Sequence, residues 1–300
     1  MEIFSLLLIV IGLGFFEVIV SVDNAIVNAD VLSKMSKWAR RWFLTWGFLV
    51  AVVIVRGLFP WVLVWITNPG LGFIESFTAT FSSNSIAAES LHKSAPILLI
   101  SGGTFLLLLF LHWSFKEPKN YGFSAEKLMQ EESSWFSAVA LLCAAIISFF
   151  AFRTSHSMAY SSIAGAFIFF ATDWLRNRAE KGKDRLSRAS DWSKIFYLEA
   201  LDASFSVDSV LGAFAFTLSV PLIMIGNGIG VLIIRNLTVR NVKRIEKFRF
   251  LKNGAMYSIF ALSIIMILGS FGVFIPEWIS PMITFLVVGY FFYKSMGWAL

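Results

Sequence analysis

Phe16-Glu17-Val18-Ile19-Val20-Ser21-Val22-Asp23-Asn24-Ala25 decides how this chain is read, because it sets two carboxylates and an amide inside an apolar run extending over 3–31. A second stretch repeats the phrase. Asp202 precedes Asp208 by six residues, as Glu17 precedes Asp23, and Ser206-Val207-Asp208-Ser209 answers Ser21-Val22-Asp23-Asn24. A charge near the centre of a membrane helix costs on the order of 3 kcal/mol on insertion scales. Four acids kept in matched pairs against that cost point to a shared purpose, and cation binding is the direct one.

Composition makes the apolar runs membrane spans. Hydrophobic residues are 57% of the 300 and the mean hydropathy is +0.75. Charged residues are 15%, against about 25% in soluble domains. The runs 3–31, 42–66, 95–115, 135–152, 157–174, 195–218, 220–238, 254–272 and 280–298 are each long enough, at about 1.5 Å per residue, to cover or nearly cover a hydrocarbon core of about 30 Å. The expected fold class is all-α: a polytopic transmembrane bundle of about nine spans. Met1-Glu2 offers no basic n-region, so the first helix is expected to stay in the mature protein. A lone cysteine, Cys143, excludes an intramolecular disulfide and a thiolate metal cluster.

The net charge of +6 could suggest nucleic acid, but the basic residues sit in short loops between spans instead of on one soluble face. With Met1 external, all but four of the 25 Lys and Arg fall in loops on the inner side. The exceptions are Lys93 and Arg153 outside, and Arg56 and Arg235 within spans. That bias satisfies the positive-inside rule. It predicts an integral protein of the plasma (inner) membrane, with the N-terminus outside, the C-terminus cytoplasmic and the lipid bilayer as its surroundings.

This topology makes the two acidic helices antiparallel, the outcome of an inverted-topology duplication, which places substrate sites near the midplane where the halves meet. The arginines extend the match, since Arg56 follows Asp23 and Arg235 follows Asp208 on the next span. The expected organisation is a first half over 1–134, connecting spans and a charged cytoplasmic linker over 135–194, and a second half over 195–300. The external connection 67–94, with Asn68-Pro69-Gly70 and Ser82-Ser83-Asn84-Ser85, reads as a lid or re-entrant piece.

On a helix, Ser21, Asn24 and Asn28 follow Glu17 at i+4, i+7 and i+11 and form one polar stripe, with Asp23 about a third of a turn away. A helix locally opened around Ser-Val-Asp in each copy would bring the acids together and add backbone carbonyls as ligands. The expected cation ligands are Glu17, Asp23, Asn24, Asp202 and Asp208, with Ser21, Ser206, Ser209, Arg56 and Arg235 as polar or charge-balancing neighbours. Every donor is oxygen, which suits Mn²⁺, Mg²⁺ or Ca²⁺ better than zinc or copper. His92, His112 and His156 lie outside the two helices. The arginines could hold the carboxylates when no cation is bound, and a desolvated acid that takes up a proton would couple cation movement to protons as counter-ion.

The first phrase, its echo Leu198-Glu199-Ala200-Leu201-Asp202-Ala203-Ser204-Phe205-Ser206-Val207-Asp208-Ser209 and the following Arg235 resemble the TerC family of integral membrane proteins. Ser101-Gly102-Gly103-Thr104 and Gly254-Ala255-Met256 are similar to a less-studied branch of it. The resemblance implies conserved acids at Glu17, Asp23, Asp202 and Asp208, and links to manganese export and tellurite resistance. His112 stands where that branch suggests an acid, and Asn253 and Met256 where it suggests histidines, departures that bear on ion choice.

The reading is therefore a divalent-cation transporter, most directly a manganese exporter, and not an enzyme. Two other classes stay open: an intramembrane aspartyl-type hydrolase using paired acids, and a membrane scaffold for a metal or tellurite stress-response complex. No phosphate-loop, Ser-His or metalloprotease motif is present.

Overall fold

The computed structural model describes residues 3–58, 60–62, 65, 72–81, 85–182, 189–240 and 248–296. Among these every regular element is helical. In chain order they are α1 (Ile3–Val20), α2 (Val22–Ser33), α3 (Lys37–Trp42) continued by π-helical turns over Phe43–Gly47 and Val50–Leu58, α4 (Phe73–Phe81), α5 (Ser85–Lys116), α6 (Ser124–Glu131), α7 (Phe136–Thr154), α8 (His156–Gly182), α9 (Asp191–Ala213), α10 (Val220–Arg240), α11 (Leu251–Ser270) and α12 (Ile279–Met296). A short 3-10 turn, Ser133–Trp135, leads into α7.

Among the described residues eight helices are long and apolar enough to cross a membrane: Ile3–Val20, Lys37–Val62, Ser94–Lys116, Ser133–Thr154, His156–Arg178, Val220–Thr238, Leu251–Ser270 and Ile279–Met296. The ninth expected span, 195–218, is helical as α9, but Asp191, Lys194, Glu199, Asp202 and Asp208 make it too charged to count on composition alone. Asp202 and Asp208 are accommodated by arginines of neighbouring helices. The outer surface is apolar, as lipid contact demands: Phe167, Phe196 and Leu141 are all largely exposed.

The first acidic run is interrupted at Ser21 (φ −87°, ψ 3°), which stands between α1 and α2, without the local opening expected to free carbonyls there. The break is slight, because Ser21 N still donates to Glu17 O at 3.0 Å and Ala25 N to Ser21 O at 2.9 Å. The second acidic helix does not break. It is continuous through Ser206-Val207-Asp208, and the hydroxyls of Ser206 and Ser209 donate to the carbonyls of Asp202 and Ser206 within their own helix.

α1–α2 and α9 lie antiparallel. Phe16 is in contact range of Gly212, Asn24 of Asp202, and Lys34 of Lys194, one index falling as the other rises. Small residues bring α10 against α1: a Cβ on Gly226 would sit 2.5 Å from Leu13 Cβ, and one on Gly230 would sit 2.5 Å from Glu17 Cβ. The Ser101-Gly102-Gly103 run is a packing device, with α8 approaching the Ser101 backbone at Gly165 and α11 filling the space at Gly102 and Gly103 with Met266 and Ile267.

Parts of the connection 67–94 lie outside the described residues. What is described of it is α4, whose Ser76 Oγ accepts from Trp61 Nε1 at 3.1 Å, and the start of α5. The linker residues 183–188 also lie outside.

Candidate functional site

Glu17 is fully buried, three residues before the end of α1. Its carboxylate accepts from Arg56 Nη2 at 2.6 Å and Nε at 3.3 Å, and from Ser21 Oγ at 2.8 Å. Arg56 reaches it from a π-helical stretch whose own Ala51 carbonyl takes the third guanidinium bond at 2.9 Å. Such wide turns free carbonyls from the regular ladder and recur at functional positions.

Asp202 repeats this arrangement in the second half. It accepts from Arg235 Nη2 at 2.8 Å, while Arg235 Nη1 donates to Phe43 O at 2.5 Å and the guanidinium lies over the Phe43 ring. Each half thus supplies one acid and, from its next span, the arginine that holds it. Asn24 joins the halves by donating through Nδ2 to Asp202 Oδ1 at 2.6 Å.

Between the two ion pairs is a cavity of about 10 Å³, lined by Glu17, Ser21, Asn24, Asn28, Arg56, Asp202 and Arg235 among others, which is room for about one water-sized occupant. The whole stripe read from the sequence, Glu17, Ser21, Asn24 and Asn28, faces it. Asn24 Oδ1 and Asn28 Oδ1 are buried acceptors with no hydrogen-bond donor. A buried polar atom left without a partner costs about 1–3 kcal/mol, so two of them at one small cavity mark a place where something that attracts oxygen belongs.

The structure separates other expected ligands from this cavity. Asp208 is held by Arg176 of α8 at 2.5 Å, with the same guanidinium donating to Ser204 O. Ser206 and Ser209 spend their hydroxyls on their own helix, as described above. The Asp23 side chain lies outside the described residues. Among the described residues no three His, Cys, Asp or Glu side chains gather in a group that could hold a metal.

Two residues were missed. Arg176 falls among the inner-side loop charges of the linker region within 135–194, because loop charge and membrane-edge charge look alike in sequence. Glu199, three residues before Asp202 on the same helix, points Oε1 into the space that Gly47 leaves by having no Cβ; that oxygen is buried and without a donor, with Arg235 alongside. Its i−3 spacing from Asp202 was the available signal.

With the geometry in place, comparison with known proteins adds one finding. The family DUF475, described as a protein of unknown function, matches residues 22–298. The chain belongs to the DUF475 family. No curated protein and no solved structure matches it significantly.

A second polar group of this DUF475 member lies at the loop end of α5. Lys252 Nζ pairs with Glu117 Oε2 at 2.6 Å, and His112 stands between Glu117 (3.7 Å) and Asp173 (3.3 Å). Burial favours the neutral form of Glu117, but the His112 hydrogen bond and the Lys252 charge outweigh it and hold the carboxyl at about 2. Burial lowers the nearby Lys119 ammonium to about 8, against the attraction of Glu126 and Glu117. Asn253, a position where the TerC resemblance suggested histidine, donates to Glu126 Oε2 at 2.9 Å and to Asn120 O, fastening α6 under the bundle.

Proposed function

We propose that this protein carries a hard divalent cation, Mn²⁺ in the first instance, across the membrane, through the site where Arg56 and Arg235 engage the acids. The observation that carries the reading is the pair of donorless amide oxygens, Asn24 Oδ1 and Asn28 Oδ1, at a cavity flanked by two arginine-held carboxylates. Two carboxylates, two amide oxygens, the Ser21 hydroxyl and a water make a donor set suited to a hard cation of six-fold coordination.

Charge explains the arginines. Glu17, Asp202, Arg56 and Arg235 sum to zero, so the cavity is neutral without an ion. A divalent cation that displaces both guanidinium groups leaves the local balance unchanged, and ion entry is thereby coupled to arginine release. The resemblance to TerC proteins supports manganese and export. An N-terminus outside, an inner-membrane location and an inverted-repeat origin belong to the same proposal, supported by the loop charges and by the matched acid–arginine pairs. A hydrolytic acid dyad would need two carboxyl groups to share a proton; an arginine engages each acid here, which favours ion exchange.

The test is Mn²⁺ flux in proteoliposomes carrying the intact chain, Glu17→Gln or Asp202→Asn, each checked for folding by size-exclusion profile. Flux in the wild type that both variants lose is the expected result. Equal flux in all three, or none in any, overturns the transport reading and leaves the scaffold class standing.

A further inference from the structure

The small acidic cavity has a neighbour. A chamber of about 170 Å³ is lined by Ala29, Leu32, Ser33, Arg40, Leu44 and Thr238, and Leu32, Leu44 and Thr238 also line the cavity that holds Glu17 and Asp202. Three residues are thus the wall common to both spaces: two leucines and a threonine whose hydroxyl is turned back onto Ile234 O at 2.7 Å. Ser33 and Arg40 place the chamber at the end of α2, in the turn to α3. There the Arg40 guanidinium donates to Ser33 O at 2.8 Å and Met35 O at 3.2 Å. The side of the bundle is fixed by sequence, for Lys34, Lys37, Arg40 and Arg41 form one of the basic loops, which the positive-inside rule puts in the cytoplasm.

We propose that this chamber is the cytoplasmic entrance to the Glu17–Asp202 cavity and that Leu32, Leu44 and Thr238 form the barrier a cation crosses to reach it. This rests on the transport reading and adds to it a route and a side. Apolar constrictions close water paths by dewetting and open with small side-chain movements. A wall made chiefly of two leucine side chains, with the Thr238 hydroxyl turned onto its own helix, is of that kind. The donorless oxygens of Asn24 and Asn28 stand on the inner side of the wall, where they would be the first groups an entering ion meets after shedding water.

The test reads access, with no ion required. In the full chain with Cys143→Ala, a cysteine is introduced by Ala25→Cys, which lines the Glu17–Asp202 cavity beyond the wall, and a small water-soluble thiosulfonate is added to one face or the other of oriented membrane vesicles. Reaction from the face bearing the basic loops is expected. Leu44→Trp should slow it about tenfold, equal to about 1.4 kcal/mol in the access barrier, and Leu44→Ala should speed it, so that a poorly folding tryptophan variant does not decide the matter. No reaction, reaction only from the opposite face, or indifference to both Leu44 variants overturns the entrance even where Mn²⁺ flux is intact. Gated reaction without Mn²⁺ flux overturns the transport reading, and with it the chamber's role as a cation entrance.

Discussion

Asn24 Nδ2 stands 2.6 Å from Asp202 Oδ1, a single hydrogen bond between residues 178 positions apart that ties one acidic helix to the other. The same amide leaves its oxygen bare inside the cavity, so Asn24 serves both the junction of the halves and the proposed ligand set. Replacing it by leucine of similar volume strips a donor from a buried carboxylate, and Asn24→Leu is expected to lower stability by about 1–3 kcal/mol. Thermal unfolding in detergent checks this, and an unchanged midpoint would show that the bond contributes nothing.

Arg56 poses the sharper energetic question, because Glu17 is completely buried and Arg56 is the cation that pairs with it among the described residues. Removing one partner of a buried pair costs about 3–5 kcal/mol, mostly for the stranded charge. Arg56→Met should therefore be severely destabilised, and Arg56→Met with Glu17→Gln should recover most of the loss. A double-mutant cycle on unfolding midpoints measures the coupling. Under the transport reading Arg56→Met also removes a competitor for the carboxylate, so added Mn²⁺ should raise its midpoint more than it raises the wild type's.

Gly230 and Gly228 form a matched pair. A Cβ at Gly230 would lie 2.5 Å from Glu17 Cβ and 2.6 Å from Gly14 O, whereas one at Gly228 meets nothing nearer than Val52 Cγ1 at 3.5 Å. Gly230→Ala has to push α10 from α1 at the site itself, at a cost of about 1–3 kcal/mol or more. Gly228→Ala should be neutral or slightly stabilising, since alanine is the better helix former. Equal effects at both positions would mean that the close approach of the two helices is unimportant.

The spacing of the first acidic run was enough to find the cavity, because a helix carries i, i+4, i+7 and i+11 on one face whatever packs against it. That is why Glu17, Ser21, Asn24 and Asn28 could be grouped from sequence alone. The second copy misled for a physical reason: the hydroxyls of Ser206 and Ser209 have carbonyls of their own helix within reach, so a polar face need not look into a cavity. The partner of Asp208 was invisible, since periodicity says which residues share a face but not which neighbouring helix will meet it, and Arg176 belongs to a different span. Composition disclosed the bundle for a simpler reason, namely that lipid-facing helices must be apolar outside as well as in.

Glu117 gives the fold a pH dependence whose sign can be worked out. Although burial opposes its charge, the His112 hydrogen bond and the Lys252 contact at 2.6 Å hold the folded carboxyl at about 2, below the ordinary glutamate value of 4.5 that the unfolded chain has. Between those values the unfolded chain binds the extra proton, so acid favours unfolding. The stabilisation is complete above pH 4.5 and is lost as pH falls through that window toward 2. With the carboxylate 28% exposed, solvent screening reduces the contribution to on the order of 2 kcal/mol. Glu117→Gln should be less stable than wild type at neutral pH by about that amount, and the gap should close on acidification, because the wild type loses what the variant never had. Lys252→Met should narrow the gap from the other side by removing the charge that keeps Glu117 ionised. Detergent unfolding midpoints followed from neutral pH downward for the three proteins supply the measurement. Parallel curves for wild type and Glu117→Gln would show that the Glu117–Lys252 contact at the mouth of α5 adds no pH-dependent stability.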